Sequence, residues 1–101
     1  MMVDITKLQN SVFQNKLSKG FNTTDINTEF CLLYGEVAEA FEAYKNGEDG
    51  IGEELADIAI YLMGLSQMLG INLEEEILKK IAKNENRRYE VINGVLKRIC
   101  D

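Results

Sequence analysis

The sequence predicts an all-α fold, and three observations carry that prediction. Proline is absent, so no ring interrupts a helical hydrogen-bond ladder. Apolar residues recur at three- and four-residue spacing rather than in strict alternation. The apolar stretches stop at Lys19-Gly20, Asn46-Gly47 and Gly70-Ile71-Asn72, all helix-terminating sequences. A chain of 101 residues with 46% apolar content is sized for one small domain, residues 1–101, around one core.

A first helix is expected from about Asp4 to Ser18, with Ile5, Leu8, Val12 and Phe13 on its core face and a solvated polar face opposite. Phe21 to Thr24 is a linker in which Phe21 sits among polar neighbours, either folded onto the core or stacked on a ligand. Thr24 or Asp25 then caps a second helix running from Ile26 to about Asn46. Phe30, Leu33, Val37, Phe41 and Tyr44 form its core stripe, and Leu32, Glu36, Glu39 and Ala43 form the stripe beside it. Glu29 and Glu42 read as ordinary surface.

After the Glu48 to Gly52 linker, with Asp49 as a candidate cap, a third helix is expected from Glu53 to about Leu69. It is apolar almost all round, through Leu55, Ile58, Leu62, Met63, Leu65 and Leu69. A lone bundle does not cover such a helix, which predicts a homodimer or higher assembly packed through it. Asn72 and Glu75 form a capping-box pattern for a fourth helix, about Leu73 to Ile92, with Leu73, Ile77, Leu78 and Ile81 on its core face. Asn93 to Asp101 reads as a short tail.

Composition narrows the function. A net charge of −6, from 11 basic and 17 acidic residues, argues against a nucleic-acid backbone as partner. There is no histidine, which removes Ser-His and Cys-His nucleophile systems and imidazole metal ligands together. A metal here is held by oxygen, which favours Mg²⁺ or Mn²⁺ over Zn²⁺. Cys31 and Cys100 are far apart, and the N-terminus lacks the basic-then-apolar pattern of a signal peptide. Both thiols are expected to be reduced in a cytoplasmic protein, with Cys31 a small buried hydrophobe. The longest apolar run, Ile58 to Leu65, is too short to span a membrane, which needs about 20 residues.

The chemistry-bearing residues are two acidic patches. On helices, Glu36 with Glu39, and Glu54 with Asp57, each put two carboxylates on one face. Ionised carboxylates about 5 Å apart repel by roughly 3 kcal/mol at an effective dielectric of about 20, so a convergent group of four needs cations or must hold protons. Acidic pairs at this spacing are no more frequent than random placement gives, and a solvated acidic face explains them equally well. Their flanks favour a working site: Leu32, Val37, Ala38, Ala40 and Phe41 surround the first pair, and Leu55, Ala56, Ile58, Ala59 and Ile60 the second. Tyr61 continues the Glu54 and Asp57 stripe. Farther on, Lys79, Lys80, Lys83, Arg87 and Arg88 cluster around Asn84, Asn86 and Tyr89. They suit a helix C-terminus through the macrodipole, or form a phosphate clamp facing the acids.

Glu36-x-x-Glu39 and Glu54-x-x-Asp57, joined by a short helix-linker-helix and followed by Lys80-x-x-x-Asn84 and Arg87-Arg88-Tyr89, resemble the MazG-like nucleotide pyrophosphohydrolases of the all-α NTP pyrophosphatase superfamily. The likeness covers about Phe21 to Tyr89. Leu32 through Glu39, the Glu53 to Asp57 run continuing to Tyr61, and the Arg-Arg-Tyr ending look like the compact dCTP pyrophosphatase branch. The resemblance implies a four-helix-bundle-like fold packed as a dimer or dimer of dimers. It also implies Mg²⁺-dependent cleavage of a nucleoside triphosphate to monophosphate and pyrophosphate, by in-line attack of a metal-activated water. House-cleaning of non-standard or pyrimidine dNTPs is the implied role.

Carried over by motif, Glu36, Glu39, Glu54 and Asp57 are the implied metal ligands and catalytic group. Lys80, Asn84 and Arg87 or Arg88 are implied to hold phosphate, Tyr61 to pack beside the deoxyribose and Phe21 on the base. One departure is Gly35, where many members carry a further glutamate, so Glu36 or Glu39 is left to orient the water. The alternatives are a phosphoribosyl-ATP pyrophosphohydrolase, which shares the acidic motifs, and a non-catalytic helical oligomer acting as a protein-binding module.

Overall fold

The computed structural model describes residues 2–100, except the side chain of Cys100, so the expectation for that thiol lies outside the described residues. Four helices and a terminal hairpin follow in order: α1 (Ile5–Lys19), α2 (Ile26–Lys45), α3 (Ile51–Met68), α4 (Leu73–Asn86), β1 (Arg88–Ile92) and β2 (Val95–Cys100). The fold is mostly helical, as expected. No single helix is long and apolar enough to cross a membrane.

Local chemistry sets most of the boundaries. Asp4, Asp25 and Asn72 each accept a hydrogen bond from a backbone N–H in the first turn of α1, α2 and α4, at 3.1 Å in each case, satisfying donors that a helix start otherwise leaves open. Helix α1 ends where Gly20 takes a left-handed conformation, φ 73°, and Phe21 N–H reaches back to the Lys16 carbonyl at 2.9 Å. Asp49 does not cap α3. The helix instead starts two residues earlier than expected, from Gly50, with no side-chain cap.

The fourth helix is shorter than expected. It stops at Asn86 rather than Ile92, and the segment read as helix and tail is an antiparallel hairpin pairing Ile92 with Val95, Val91 with Leu96 and Glu90 with Lys97. Asn93 and Gly94 both have positive φ, 52° and 77°, the geometry of a tight two-residue hairpin turn. Asn-Gly between β-branched residues is the chain's own signal for it, and it outweighs the helical spacing of the basic residues.

Helix α3 lies between α1 and α2 and packs on both, while α4 leaves α3 at 108° and touches α1. The α1–α4 contact is polar. Glu74 accepts from the Ile5 N–H at 2.9 Å and from the Thr6 hydroxyl at 3.2 Å. Gln9 donates to the Gln67 side chain at 2.9 Å and the Ile71 carbonyl at 2.7 Å, and accepts from the Leu73 N–H at 3.1 Å. The polar face of α1, expected in solvent, is therefore partly inside, with Gln9 and Lys16 buried. Because Gln9 satisfies three groups at the α3–α4 turn, Gln9→Ala is expected to cost about 2–3 kcal/mol, through the polar groups it leaves unpartnered. Urea unfolding measures this, and a loss below half a kcal/mol would contradict it.

The core face of α2 is also rotated from its expected position. Glu29, Ala40 and Ala43 are buried, with Leu33 and Glu36 half-buried between them, whereas Phe30, Val37, Phe41 and Tyr44 are exposed. The reason is packing distance: the small side chains of Ala40 and Ala43 let α2 and α3 approach closely, and the aromatic stripe would hold them apart. Cys31, expected inside, is exposed. Among the described residues the buried apolar side chains are Ala40, Ala43 and Leu65. The radius of gyration is 17.2 Å, against about 13 Å for a compact domain of this length.

Candidate active site

Helices α2 and α3 bring the two acidic patches together. Glu36 on α2 and Glu54 and Asp57 on α3 each place one carboxylate oxygen within 4.8 Å of the others, and all three are half-buried. Oε2 of Glu36 and Oε2 of Glu54 are shielded from solvent and have no hydrogen-bond partner. Glu39, the fourth expected member, is exposed and outside this trio. Its charge still acts on Glu36 and Glu54.

The electrostatics are one-sided. Burial first, and then the charge of Glu39 and Asp57, raises the Glu36 carboxyl above its ordinary value. The same causes, in the same order, raise Glu54. Burial and the negative charges of Glu36, Glu29 and Asp57 likewise raise the Tyr61 phenol, keeping it neutral. A group of hard oxygen donors, two of them shielded and unpartnered, fits a divalent cation of the Mg²⁺ or Mn²⁺ type. The residues present therefore fit the metal that their motifs imply.

Beside the acids lies a cavity of about 250 Å³. Phe21 and Tyr61, both expected to contact substrate, line it together with Val12, Leu32 and Ile60. Asn15, Lys16, Asn22 and Glu29, also on its wall, escaped the sequence reading. Lys16 of α1 and Glu29 of α2 form an ion pair at 2.7 Å, with the Lys16 side chain 10% exposed and Glu29 fully enclosed. The Glu29 carboxylate also accepts from the Asn22 side chain at 3.2 Å, and Asn22 holds the backbone of the α1–α2 linker through Asp25 and Thr24. Glu29 is thus enclosed, not the ordinary surface residue expected. The signal was present: Glu29, Leu33, Glu36, Ala40 and Ala43 repeat at four and three along one face. Gly64 of α3 leaves room for the Lys16 stem, since a Cβ there would meet Lys16 Cδ at 3.2 Å.

The basic residues form a separate group. Lys80 is lowered from its ordinary value, first by the charge of Arg87 and then by burial and the charges of Lys83 and Arg98. Arg87 donates to the Asn84 side chain at 3.1 Å, and Arg88 opens β1 on the exposed hairpin. Among the described residues no ion pair joins Lys80, Arg87 or Arg88 to the acids of α2 and α3.

No curated protein and no solved structure matches the chain. A protein-family model does, that of the MazG-like family, over residues 26–96, from the first turn of α2 into β2. The match takes in both acidic patches and the basic group. It suggests nucleoside triphosphate pyrophosphohydrolase activity in general terms, a nucleotide substrate, and the divalent-metal use for which the acidic trio supplies donors. On a match covering most of its length, the chain belongs to the MazG-like family.

Proposed function

We propose that the protein is a Mg²⁺-dependent pyrophosphohydrolase that cleaves a nucleoside triphosphate between its α- and β-phosphates. Water adds at one phosphorus, the bridging P–O bond breaks, and a nucleoside monophosphate and pyrophosphate leave. The observation that carries the reading is the meeting of Glu36, Glu54 and Asp57, with shielded, unpartnered oxygens on the two glutamates. Among the described residues no ion pair reaches them to offset the repulsion, so the arrangement suits an incoming cation.

Glu36, Glu54 and Asp57 would hold the ion, with Glu39 at the edge of the group. A divalent ion there supplies charge neutralisation to the polyphosphate and lowers the pKa of water at the site. The protein's share is positional. Half-burial of the three carboxylates limits their screening by bulk water, and Glu36 or Glu39 would accept the proton of the attacking water. Tyr61, neutral and beside Glu36, presents a flat ring and a hydroxyl donor where the sugar would pass.

Lys80, Asn84, Arg87 and Arg88 would meet the phosphates from a second copy of the chain. A homodimer, or a dimer of dimers, is the assembly that suits the exposed apolar surfaces: Phe41 and Tyr44 on α2, Leu55 and Leu62 on α3, and Val91 and Leu96 on the hairpin.

The test is pyrophosphate release from a panel of dNTPs, NTPs and phosphoribosyl-ATP, with Mg²⁺, with Mn²⁺ and with chelator. Monophosphate and pyrophosphate in equal amounts, with metal present and not with chelator, is the expected result. A melting temperature indifferent to both metals, with no turnover of any substrate, would instead favour a non-catalytic helical oligomer.

A further inference from the structure

The cavity beside the acidic group carries a buried cation that a purely hydrophobic pocket would lack. Lys16 reaches it from α1 with its side chain nine-tenths buried, and its ammonium has one hydrogen-bond acceptor among the described residues, Glu29 Oε2 at 2.7 Å. An ammonium carries three N–H donors. The ammonium also lies over the Tyr61 ring, 5.9 Å from its centroid. Its other N–H groups have no acceptor among the described residues, in a cavity lined by Asn15 and Asn22 as well as by Leu32, Ile60 and the rings of Phe21 and Tyr61. A buried donor without an acceptor is costly, by about 1–3 kcal/mol or more for a charged group, and a ligand atom in the cavity would relieve it.

The chemistry of that atom follows from the pairing. Glu29 is fully enclosed and cancels the Lys16 charge, so the pair as a unit is neutral and has no excess attraction for an anion. A phosphate is therefore the wrong partner, whereas a neutral acceptor such as a carbonyl oxygen suits the free donors. An amino group pointed at the same spot would set donor against donor. At about 250 Å³ the space lies at or below the small end of ligand pockets, about 300–1,000 Å³, which suits a single heterocyclic base between flat rings. Tyr61 fixes its orientation: the ring lines this cavity and also feels the charges of Glu36 and Asp57. A nucleotide whose phosphates lie at the acids would pass its sugar along Tyr61 and point the far edge of its base at Lys16.

We infer that Lys16, held by Glu29, is the specificity-determining residue of this cavity, donating to a carbonyl on the edge of the base farthest from the sugar. Keto bases, of the uracil or hypoxanthine type, are selected over amino bases of the cytosine or adenine type. The inference rests on the nucleotide reading of the acidic site for its orientation, and it runs against the cytosine preference that a likeness to dCTP pyrophosphatases would imply.

Equilibrium binding of dUMP, dCMP, dIMP and dAMP to the full chain with Mn²⁺ tests it without requiring catalysis, because a monophosphate has no anhydride bond to cleave and the metal offsets the repulsion between phosphate and acids. The members of each pair differ at that far edge, a carbonyl in one and an amino group in the other. dUMP is expected to bind about 10–100-fold more tightly than dCMP, and dIMP than dAMP, as one charge-assisted hydrogen bond implies. In the double variant Lys16→Met/Glu29→Gln, which removes the ammonium without leaving a lone buried charge, both ratios should fall to about one. Equal affinities in the unaltered protein, a preference for dCMP, or a keto preference that survives the double variant would each overturn the inference. Turnover is read separately: keto-selective binding without metal-dependent pyrophosphate release would overturn the catalytic reading and leave the role of Lys16 standing.

Discussion

Glu54→Gln is expected to abolish metal-dependent pyrophosphate release, by about 10²–10³-fold or more, and at the same time to raise the melting temperature of the metal-free protein. The two effects have one cause. Glu54 has a shielded oxygen with no partner and lies among Glu39, Asp57 and Glu53, so its carboxyl is raised above its ordinary value of 4.5. The folded chain thus holds that proton to a higher pH than the unfolded chain does. Stability follows the difference in bound protons, so it is greatest below the ordinary carboxylate value and declines as pH rises through the raised one. Glu36, raised for the same reasons, adds to the decline.

A melting curve of the metal-free protein taken upward from about pH 4.5 should therefore show a falling midpoint. The fall should shrink in Glu54→Gln, and saturating Mn²⁺ should offset it in the unaltered protein. Loss of activity together with a gain in metal-free stability marks a residue kept for function against the interest of the fold. If Glu54→Gln turned over substrate normally, or melted lower than the unaltered protein without metal, the acidic group would be a solvated face and nothing more.

Which parts of this molecule the sequence disclosed depends on how local the determining interaction is. Helix starts at Asp4, Asp25 and Asn72 and the stop at Lys19-Gly20 are decided within a few residues, and they were legible. The convergence of Glu36, Glu54 and Asp57 was legible as a possibility, because two acidic faces in apolar surroundings must meet something. The hairpin was legible in principle through Asn93-Gly94, but the basic residues before it keep helical spacing and hid the strand.

The rotation of α2 was not legible, because two adjacent stripes both look fit for a core. Only the presence of α3 decides that Ala40 and Ala43 face inward and Phe41 outward. Glu29, read as ordinary surface, was missed for a related reason: its partner Lys16 lies on another helix. A basic patch and an acidic patch in one chain invite being joined, yet the sharp departure of α4 from α3 keeps them on separate elements.

Lys16→Met alone is expected to destabilise the protein by about 3–5 kcal/mol, the cost of leaving one partner of a buried ion pair uncompensated. That is a large part of the stability of any small domain, about 5–15 kcal/mol, and the apolar core here is slight. Glu29 would be left in a fully enclosed site with only the Asn22 amide to serve it. Adding Glu29→Gln should recover most of the loss, because a neutral amide still accepts from Asn22 and no charge remains to solvate. The coupling between the two changes, read by denaturant unfolding of both single variants and the double, should therefore be large and favourable, at about 2 kcal/mol or more. A pair that served only to hold α1 against α2 would show the coupling alone, whereas a pair that also reads a base must lose its keto selectivity in the stable double variant. Purely additive single changes would mean that Lys16 and Glu29 do not depend on each other, and the neutral-pair argument for carbonyl recognition would fall with them.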